Sequence, residues 1–518
     1  MKKISFVLLL VLLSSVAVGQ LIERITDIHP TGGSDPSHFF VWNNTLFFYA
    51  TNFQYGKELW ATDGTAAGTY LVQDWTVSGD SWPKTYLPLG NKLLISQSFG
   101  PADSRARNLI ATTGVQNSMY EVGAFSLIDT VVSMNGFAYV LGCNPGCGLW
   151  KTDGANIGTT LVRNFSDFTE MVEFNGRLFI SAADTGSTDL ELWISDGTTT
   201  GTKLLKNINT SKSSDPKSFI ALNNKLYFIA TDSATGRELW VTDGTDTGTH
   251  IFMDLNPGKS SAMLTSYGLF SHNSKLYFFA KPVTPVDSPQ YLYVSNGTSI
   301  GTRRVMPFMF MKYITAFNGK MYFQGKATTT DQEELWVCDD TDTGTILLKD
   351  CNIGGAGVPN NLFVFDNRIY FNAIDYVYGG QLWVSDGTTS GTYMPPLFST
   401  LPWWGVWNTQ FIEYKGGLYF GAYYDSYGRE LWRYSPTTGM VHSPVQESSL
   451  SVYPNPAKNF IRIKTRTPTV VTIYDVFGKK VLSIEVLGNA NVDVSHFTPG
   501  YYVIRSSLTS EFVYLIKE

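Results

Sequence analysis

The 518-residue chain is short of several things, and each shortage narrows its class. Beyond Leu13 no apolar run approaches the roughly 20 residues that a membrane-crossing helix needs. Four cysteines are too few for a disulfide-stapled scaffold, and six scattered histidines give no metal-ligand spacing. Lysine and arginine form no run and the formal net charge is −6, so nothing resembles a phosphate-binding stripe and nucleic acid is not an expected partner. Gly-x-Ser-x-Gly, His-Glu-x-x-His and glycine-rich phosphate loops are missing as well, so no catalytic residue, metal or cofactor is assigned.

What the chain has instead is repetition. The stretch Glu238-Leu239-Trp240-Val241-Thr242-Asp243-Gly244-Thr245-Asp246-Thr247-Gly248-Thr249 returns in close copies centred on Trp60, Trp150, Trp193, Trp336 and Trp383. Weaker copies centre on Ile110, Tyr293 and Trp432, and successive centres lie 40 to 53 residues apart. A period of that length marks a propeller or solenoid unit. Within each unit Asp-Gly ends one strand in a tight turn, because glycine accepts positive φ and aspartate can bond to the backbone just ahead. A β-rich run such as Lys203-Leu204-Leu205 follows the turn. Upstream lies a second hairpin, as in Phe219-Ile220-Ala221-Leu222-Asn223-Asn224-Lys225-Leu226-Tyr227-Phe228, so each unit holds four short strands, a to d.

Four antiparallel strands per unit predict an all-β chain, a β-propeller of eight or nine four-stranded blades followed by a small β-sandwich. Nine copies mean either an unusually large ring or one copy that is not a full blade. In the latter case the Ile110 copy, Asn108-Leu109-Ile110-Ala111-Thr112-Thr113-Gly114, is the one lacking the Asp-Gly-Thr turn. Leu21–Asp27 reads as a d strand ahead of the first a strand, placed to pair into the last blade and close the circle. The repeats resemble the ELWxxDGT repeat family of secreted bacterial proteins from about residue 21 to 435, a resemblance that implies a scaffold and no particular chemistry.

Both ends carry addressing signals. Lys2 and Lys3, the apolar run Phe6–Leu13 and the small residues Ala17-Val18-Gly19 predict a signal peptide over 1–19, cleaved between Gly19 and Gln20. The repeat domain is then expected over 20–445 and a third segment over 446–518. From Ser448 eight basic residues face five acids, so this segment is positive in an acidic protein. Tyr453-Pro454-Asn455-Pro456, the strand Val471–Asp475 with Gly478-Lys479, Asp493-Val494-Ser495, Pro499-Gly500-Tyr501-Tyr502 and Tyr514-Leu515-Ile516-Lys517 resemble the type A C-terminal sorting domain of the type IX secretion system of Bacteroidota. The resemblance implies travel through the periplasm and reading of the tail by the outer-membrane secretion machinery. Release, or attachment to surface lipopolysaccharide, would follow removal of the tail.

Candidate residues fall into three groups. Asp63, Asp153, Asp196, Asp243 and Asp386 recur at one turn, so they spread around a ring instead of converging on a substrate, and turn bonding is their expected role. Cys143 and Cys147 bracket a turn and suit a small disulfide, whereas the pairing of Cys338 and Cys351 stays open. The third group is aromatic. The b–c loops of repeats one, eight and nine carry Phe53 and Tyr55, Tyr376 and Tyr378, and Tyr423, Tyr424 and Tyr427, while the connection between repeats eight and nine carries Trp403, Trp404 and Trp407. Ring closure makes these repeats neighbours, so the aromatics would gather on one face to bind a glycan or a protein, or else fill the closing seam. A non-catalytic binding module is the favoured reading, with a glycan-active enzyme as the alternative. Because the tail shares none of the repeat pattern, removal of residues 448–518 is expected to leave a soluble protein that unfolds cooperatively; insolubility or non-cooperative melting would place the boundary elsewhere.

Overall fold

The structure, a computed structural model, describes residues 21–76, 79–98, 107–155, 157–263, 268–281, 290–328, 330–395, 398, 405–407, 409–423, 428–435, 450–453, 457–465, 469–475, 479–506 and 512–517. They divide into two compact units, one ending at Thr437 and one beginning at Thr438. In the first, nine antiparallel sheets follow one another along the chain, eight of four strands and one of three. Blade 1 shows the pattern: Ser37–Trp42, Thr45–Asn52, Gly56–Thr62 and Tyr70–Gln73 are strands a to d, each paired with the next. The eighth blade, Asn360–Phe365, Arg368–Asp375 and Gly379–Ser385, has among the described residues a single bridge, Val384 to Tyr393, in place of a d strand.

The ninth blade is completed from the other end of the chain. Leu21–Thr26 pairs antiparallel with Arg429–Ser435, Leu21 opposite Ser435 and Arg24 opposite Trp432, and so supplies the outer strand that the sequence pattern anticipates. The Ile110 copy corrects the other expectation. Asn108–Thr112 is the third strand of a full four-stranded sheet, so the ring has nine blades among the described residues. Its turn works without the aspartate: Thr112 Oγ1 accepts Gly114 N–H at 2.9 Å, Ser118 Oγ pairs with Thr112 Oγ1 at 2.8 Å, and Asn117 takes the left-handed conformation at φ 57°.

Hydrophobic cores lie between blades, not within them. Each alternate face of a blade packs on its neighbour, and nine such seams run round the ring. The last joins Leu431 and Tyr419 of blade 9 to Leu46, Phe48 and Ala50 of blade 1. First strands of most successive blades touch one another, and Ile412–Tyr414 of blade 9 touches Ser37–Trp42 of blade 1, so the a strands face the axis.

A single device recurs at the seams. The turn glycine of one blade receives the tip of the strand-b side chain of the blade before it. A Cβ on Gly64 would lie 2.7 Å from Tyr419 Oη, one on Gly114 2.7 Å from Phe47 Cζ, and one on Gly297 3.0 Å from Tyr227 Oη. These glycines also hold φ between 84° and 94°, so both backbone and space exclude a side chain. In blade 7 the position is Asp340 at φ 74°, and its carboxylate instead accepts Tyr277 Oη at 2.6 Å and pairs with Lys275 Nζ at 2.5 Å.

The second unit is a sandwich. Leu450–Tyr453, Phe460–Thr465 and Asn489–Asp493 form one sheet, and Thr469–Asp475, Lys480–Val486, Gly500–Ser506 and Phe512–Lys517 the other. Ile461, Ile463 and Val492 of the first pack on Val471, Ile473, Ile504 and Leu515 of the second.

The repeated tryptophan belongs to the seams. Trp193, Trp240, Trp383 and Trp432 are buried, with Trp193, Trp240 and Trp383 in the cores that join their blades to neighbours. Trp240→Ala is expected to cost about 3–5 kcal/mol, read as a lower denaturation midpoint; an unchanged midpoint would remove the indole from the core.

Candidate functional site

Two loop faces frame the ring, and the repeated aspartate sits on the face away from the aromatics. Asp243 Oδ1 accepts Thr245 N–H at 2.9 Å and Thr245 Oγ1 at 2.7 Å, and that hydroxyl in turn accepts Gly248 N–H at 2.9 Å. Thr249 Oγ1 then donates to Thr245 C=O at 2.6 Å and meets Thr242 Oγ1 at 2.7 Å. Asp63, Asp196, Asp339 and Asp386 do the same, and Asn296 replaces the carboxylate in blade 6. Asp153 bonds Ala155 N–H. The Thr245 bonds hold the Asp243 carboxyl below the usual range. A Cβ on Gly248 would collide with that carboxylate, which accounts for the second glycine of the motif. With its Oδ1 bonded within its own turn, the aspartate is structural chemistry repeated round the ring.

The opposite face carries the b–c and d–a loops. Phe53 is 81% exposed and Tyr376 75%, while Tyr378 and Tyr423 lie near 40%. Tyr55 and Trp407 are half-buried. Trp403, Trp404, Tyr424 and Tyr427 lie outside the described residues, as do Gly19 and Gln20. Short local bonds fix the loops: Asp375 Oδ1 accepts Val377 and Tyr378 N–H at 2.7 and 3.0 Å, and Asn52 Oδ1 accepts Gln54 N–H at 2.8 Å. Cross-blade bonds tie the sector together. Val406 N–H donates to Gly380 C=O at 3.1 Å, Tyr423 N–H to Gly405 C=O at 2.8 Å, and Asp35 N–H to Arg429 C=O at 3.0 Å. Phe53, Tyr55, Tyr376 and Tyr378 do not stack on one another; Phe53 meets His29 edge-on, centroids 6.4 Å apart.

The sequence reading passed over the glutamate of the repeat. Glu58, Glu238 and Glu430 are fully buried, and each reaches across to the loop that leads into the next blade. Glu430 accepts Ser34 N–H at 2.9 Å, Ser34 Oγ at 2.5 Å and Ile28 N–H at 3.4 Å. Glu238 accepts Ala262 and Leu255 N–H, Glu334 accepts Cys351 and Gly357 N–H, and Glu191 accepts Ile208, Asn209 and Ser214 N–H. Burial outweighs these bonds and pushes Glu238, Glu334 and Glu430 up to about 7. The signal was there in sequence, since a carboxylate repeated beside leucine and tryptophan in a core strand needs buried donors.

Cys143 and Cys147 form a disulfide across the tip of the b–c hairpin of blade 3, where they are register partners. Cys338 and Cys351 are both buried and free. Their separation follows from the strand: Cys351 N–H bonds Glu334, four residues along strand c from Cys338. Among the described residues no three His, Cys, Asp or Glu side chains converge to hold a metal.

Residues 451–514 match the secretion system C-terminal sorting domain. The chain is therefore exported, to the cell surface or beyond it, by type IX secretion. Among curated protein sequences none matches. Similar solved structures include PorZ, a surface component of the type IX secretion system of Porphyromonas gingivalis (12% identity, 94% of this chain and 81% of that one, TM-score 0.30). Others are the β-propeller domain of the Trilobed protease of Pyrococcus furiosus (11%, 59% and 96%, 0.33) and AztD of Citrobacter koseri (10%, 69% and 92%, 0.36). At such scores the propeller assignment rests on the sheets and seams described above.

The buried glutamates set a pH dependence. Their folded-state pKa lies above the usual 4.5, so folding takes up protons between about 4.5 and 7. The stability they contribute is complete below the lower value and lost as pH rises through the upper one. The melting temperature is expected to fall from pH 5 to pH 8, and Glu238→Gln, which copies the buried Gln381 of blade 8, to shrink that fall. An identical pH slope in the variant would refute the assignment.

Proposed function

We propose that the mature chain is a glycan-binding module displayed on or released from the cell surface, with its ligand lying across the b–c loops of blades 8, 9 and 1. Export is carried by the sorting tail; removal of that tail and attachment to surface lipopolysaccharide belong to the same proposal. One observation supports the binding reading above others: Phe53 and Tyr376 expose most of their rings on separate, hydrogen-bonded loops of one sector. Each presents a large rigid apolar face to solvent on a loop already held by its own hydrogen bonds, so a ligand can stack on it at little ordering cost. Rings held apart and unstacked suit a chain of sugar units, each offering one apolar face, better than a protein partner, which favours a contiguous apolar centre with a polar rim.

The test is a screen of the mature protein against soluble and insoluble polysaccharides, followed by the double substitution Phe53→Ala, Tyr376→Ala. Affinity is expected to drop at least tenfold while stability stays within about 0.5 kcal/mol, as for surface positions generally. Unchanged affinity, or a large fall in melting temperature, would refute the loop site. Release of new reducing ends during the screen would replace binding with catalysis.

A further inference from the structure

The axial side of this same sector holds an opening. A cavity of about 250 Å³ is lined by Phe39 of blade 1, Asn361, Leu362 and Phe363 of blade 8, and Gln410 and Phe411 beside strand a of blade 9. Beside it strand a of blade 9 has three residues, Ile412–Tyr414, where blades 1 and 8 have six.

Register shows what differs. Phe40 opposite Phe47, Phe363 opposite Tyr370 and Ile412 opposite Tyr419 align His38, Asn361 and Gln410 at one level of the axis. Blades 4 and 5 close that level: the Glu170 carboxylate accepts both Ser218 and Phe219 N–H, at 2.9 and 3.1 Å. Between blades 9 and 1 a carboxamide stands instead. Gln410 Oε1 accepts His38 N–H at 3.0 Å, and among the described residues its Nε2 has no protein partner. Asn361, left-handed at φ 52°, donates Nδ2 to Asn360 Oδ1 at 3.0 Å and keeps its own oxygen free. Behind it Asn372 Nδ2 bonds both Asn360 Oδ1 and Thr409 C=O, a buried polar network that fixes the wall.

We infer that this axial cavity takes a single pyranose unit of a neutral glycan, held by the Gln410 and Asn361 carboxamides against Phe39, Phe363 and Phe411. The inference rests on the glycan reading above and names the unit that it would seat. The lining carries no charge, so a carboxylate or phosphate would lack a counter-cation. Nearby His38 is neutral as well, its pKa lowered to about 4 by burial and by the charges of Lys57 and Lys84. A wholly apolar ligand would strand both amides. A neutral ring with hydroxyls on its rim and C–H groups on its face satisfies donors, acceptors and aromatics together, and the volume is below the roughly 300–1,000 Å³ of sites for larger ligands. Phe411 is itself braced edge-on by Phe420, centroids 5.7 Å apart, so the wall is preorganised.

The experiment titrates glucose, galactose, mannose and N-acetylglucosamine into the full mature protein by saturation-transfer NMR and calorimetry, with Gln410→Ala and Asn361→Asp as variants. Aspartate tolerates the left-handed backbone, so the second variant keeps the fold while placing a charge at the wall. At least one sugar is expected to saturate, and each variant to weaken it tenfold or more at an unchanged melting temperature. Failure of all four sugars to saturate the wild-type protein, or equal affinity in both variants, would overturn the inference. The Phe53→Ala, Tyr376→Ala protein separates this site from the loops: it should lose polysaccharide and keep the monosaccharide. Polysaccharide binding without any monosaccharide binding would leave the loop reading standing and this one refuted.

Discussion

Closure of the ring depends on the contact between a strand-b side chain and the turn glycine of the following blade. Nothing covalent links the first blade to the ninth, so the circle holds only if the ninth meets the first as each of the others meets its neighbour. It does: Tyr419 reaches over Gly64, Tyr414 Oη donates to Asn44 C=O at 2.7 Å and Lys415 Nζ to Asp63 C=O at 2.9 Å. The added strand Leu21–Thr26 then pairs the two ends of the repeat region within one sheet, with Arg433 on Glu23 at 3.2 Å. Glutamate works at the other end of blades 1, 4, 5, 7 and 9. Glu430 grips the Ser34 loop from within the core, so both ends of a seam are fastened by groups whose alternatives are buried and unsatisfied.

Much of this was legible in the chain. The Asp-Gly-Thr spacing announces a turn because each of its side chains has a local backbone partner, and such local chemistry survives translation from sequence to structure. Strand order and the role of Leu21–Thr26 follow from the same periodicity. Less legible was the Ile110 blade, where the aspartate is absent yet Thr112, Ser118 and a left-handed Asn117 rebuild the turn with different atoms. Asp340 poses the same difficulty in reverse. A residue that looks like a defect in its own turn is satisfied by Tyr277 and Lys275 from the preceding blade, more than sixty positions upstream. Contacts across seams leave no local trace, so their compensations cannot be read from one repeat.

The candidate site shows the same division. Exposed rings on b–c loops could be listed from sequence, because loop position and residue type suffice. Setting blades 8, 9 and 1 side by side required ring closure, and the axial cavity required the packing of three blades distant in sequence. Strand a of blade 9 begins late because Thr409, which would extend it, gives its C=O to Asn372 Nδ2 and meets Gly421 N–H with Oγ1 in place of a backbone pairing.

Repeats specify a scaffold where they agree and leave room for function where they depart. Blade 8 replaces the buried glutamate with Gln381, whose Nε2 bonds Tyr378 C=O at 2.9 Å and thereby steers the b–c loop that displays Tyr376. It also places Asn372 in a core strand where blades 3 and 5 carry Leu141 and Ile229 and blades 2, 4 and 7 carry the polar Ser96, Ser181 and Gln324. A buried amide in an apolar layer is destabilising unless its bonds are made, so selection on stability alone would favour the aliphatic residue. Its donor is satisfied by the very elements, Asn360 and Thr409, that frame the axial cavity. The Asn372 amide, the short strand of blade 9 and the exposed rings of blades 8 and 1 therefore lie side by side in the sector where the circle is closed.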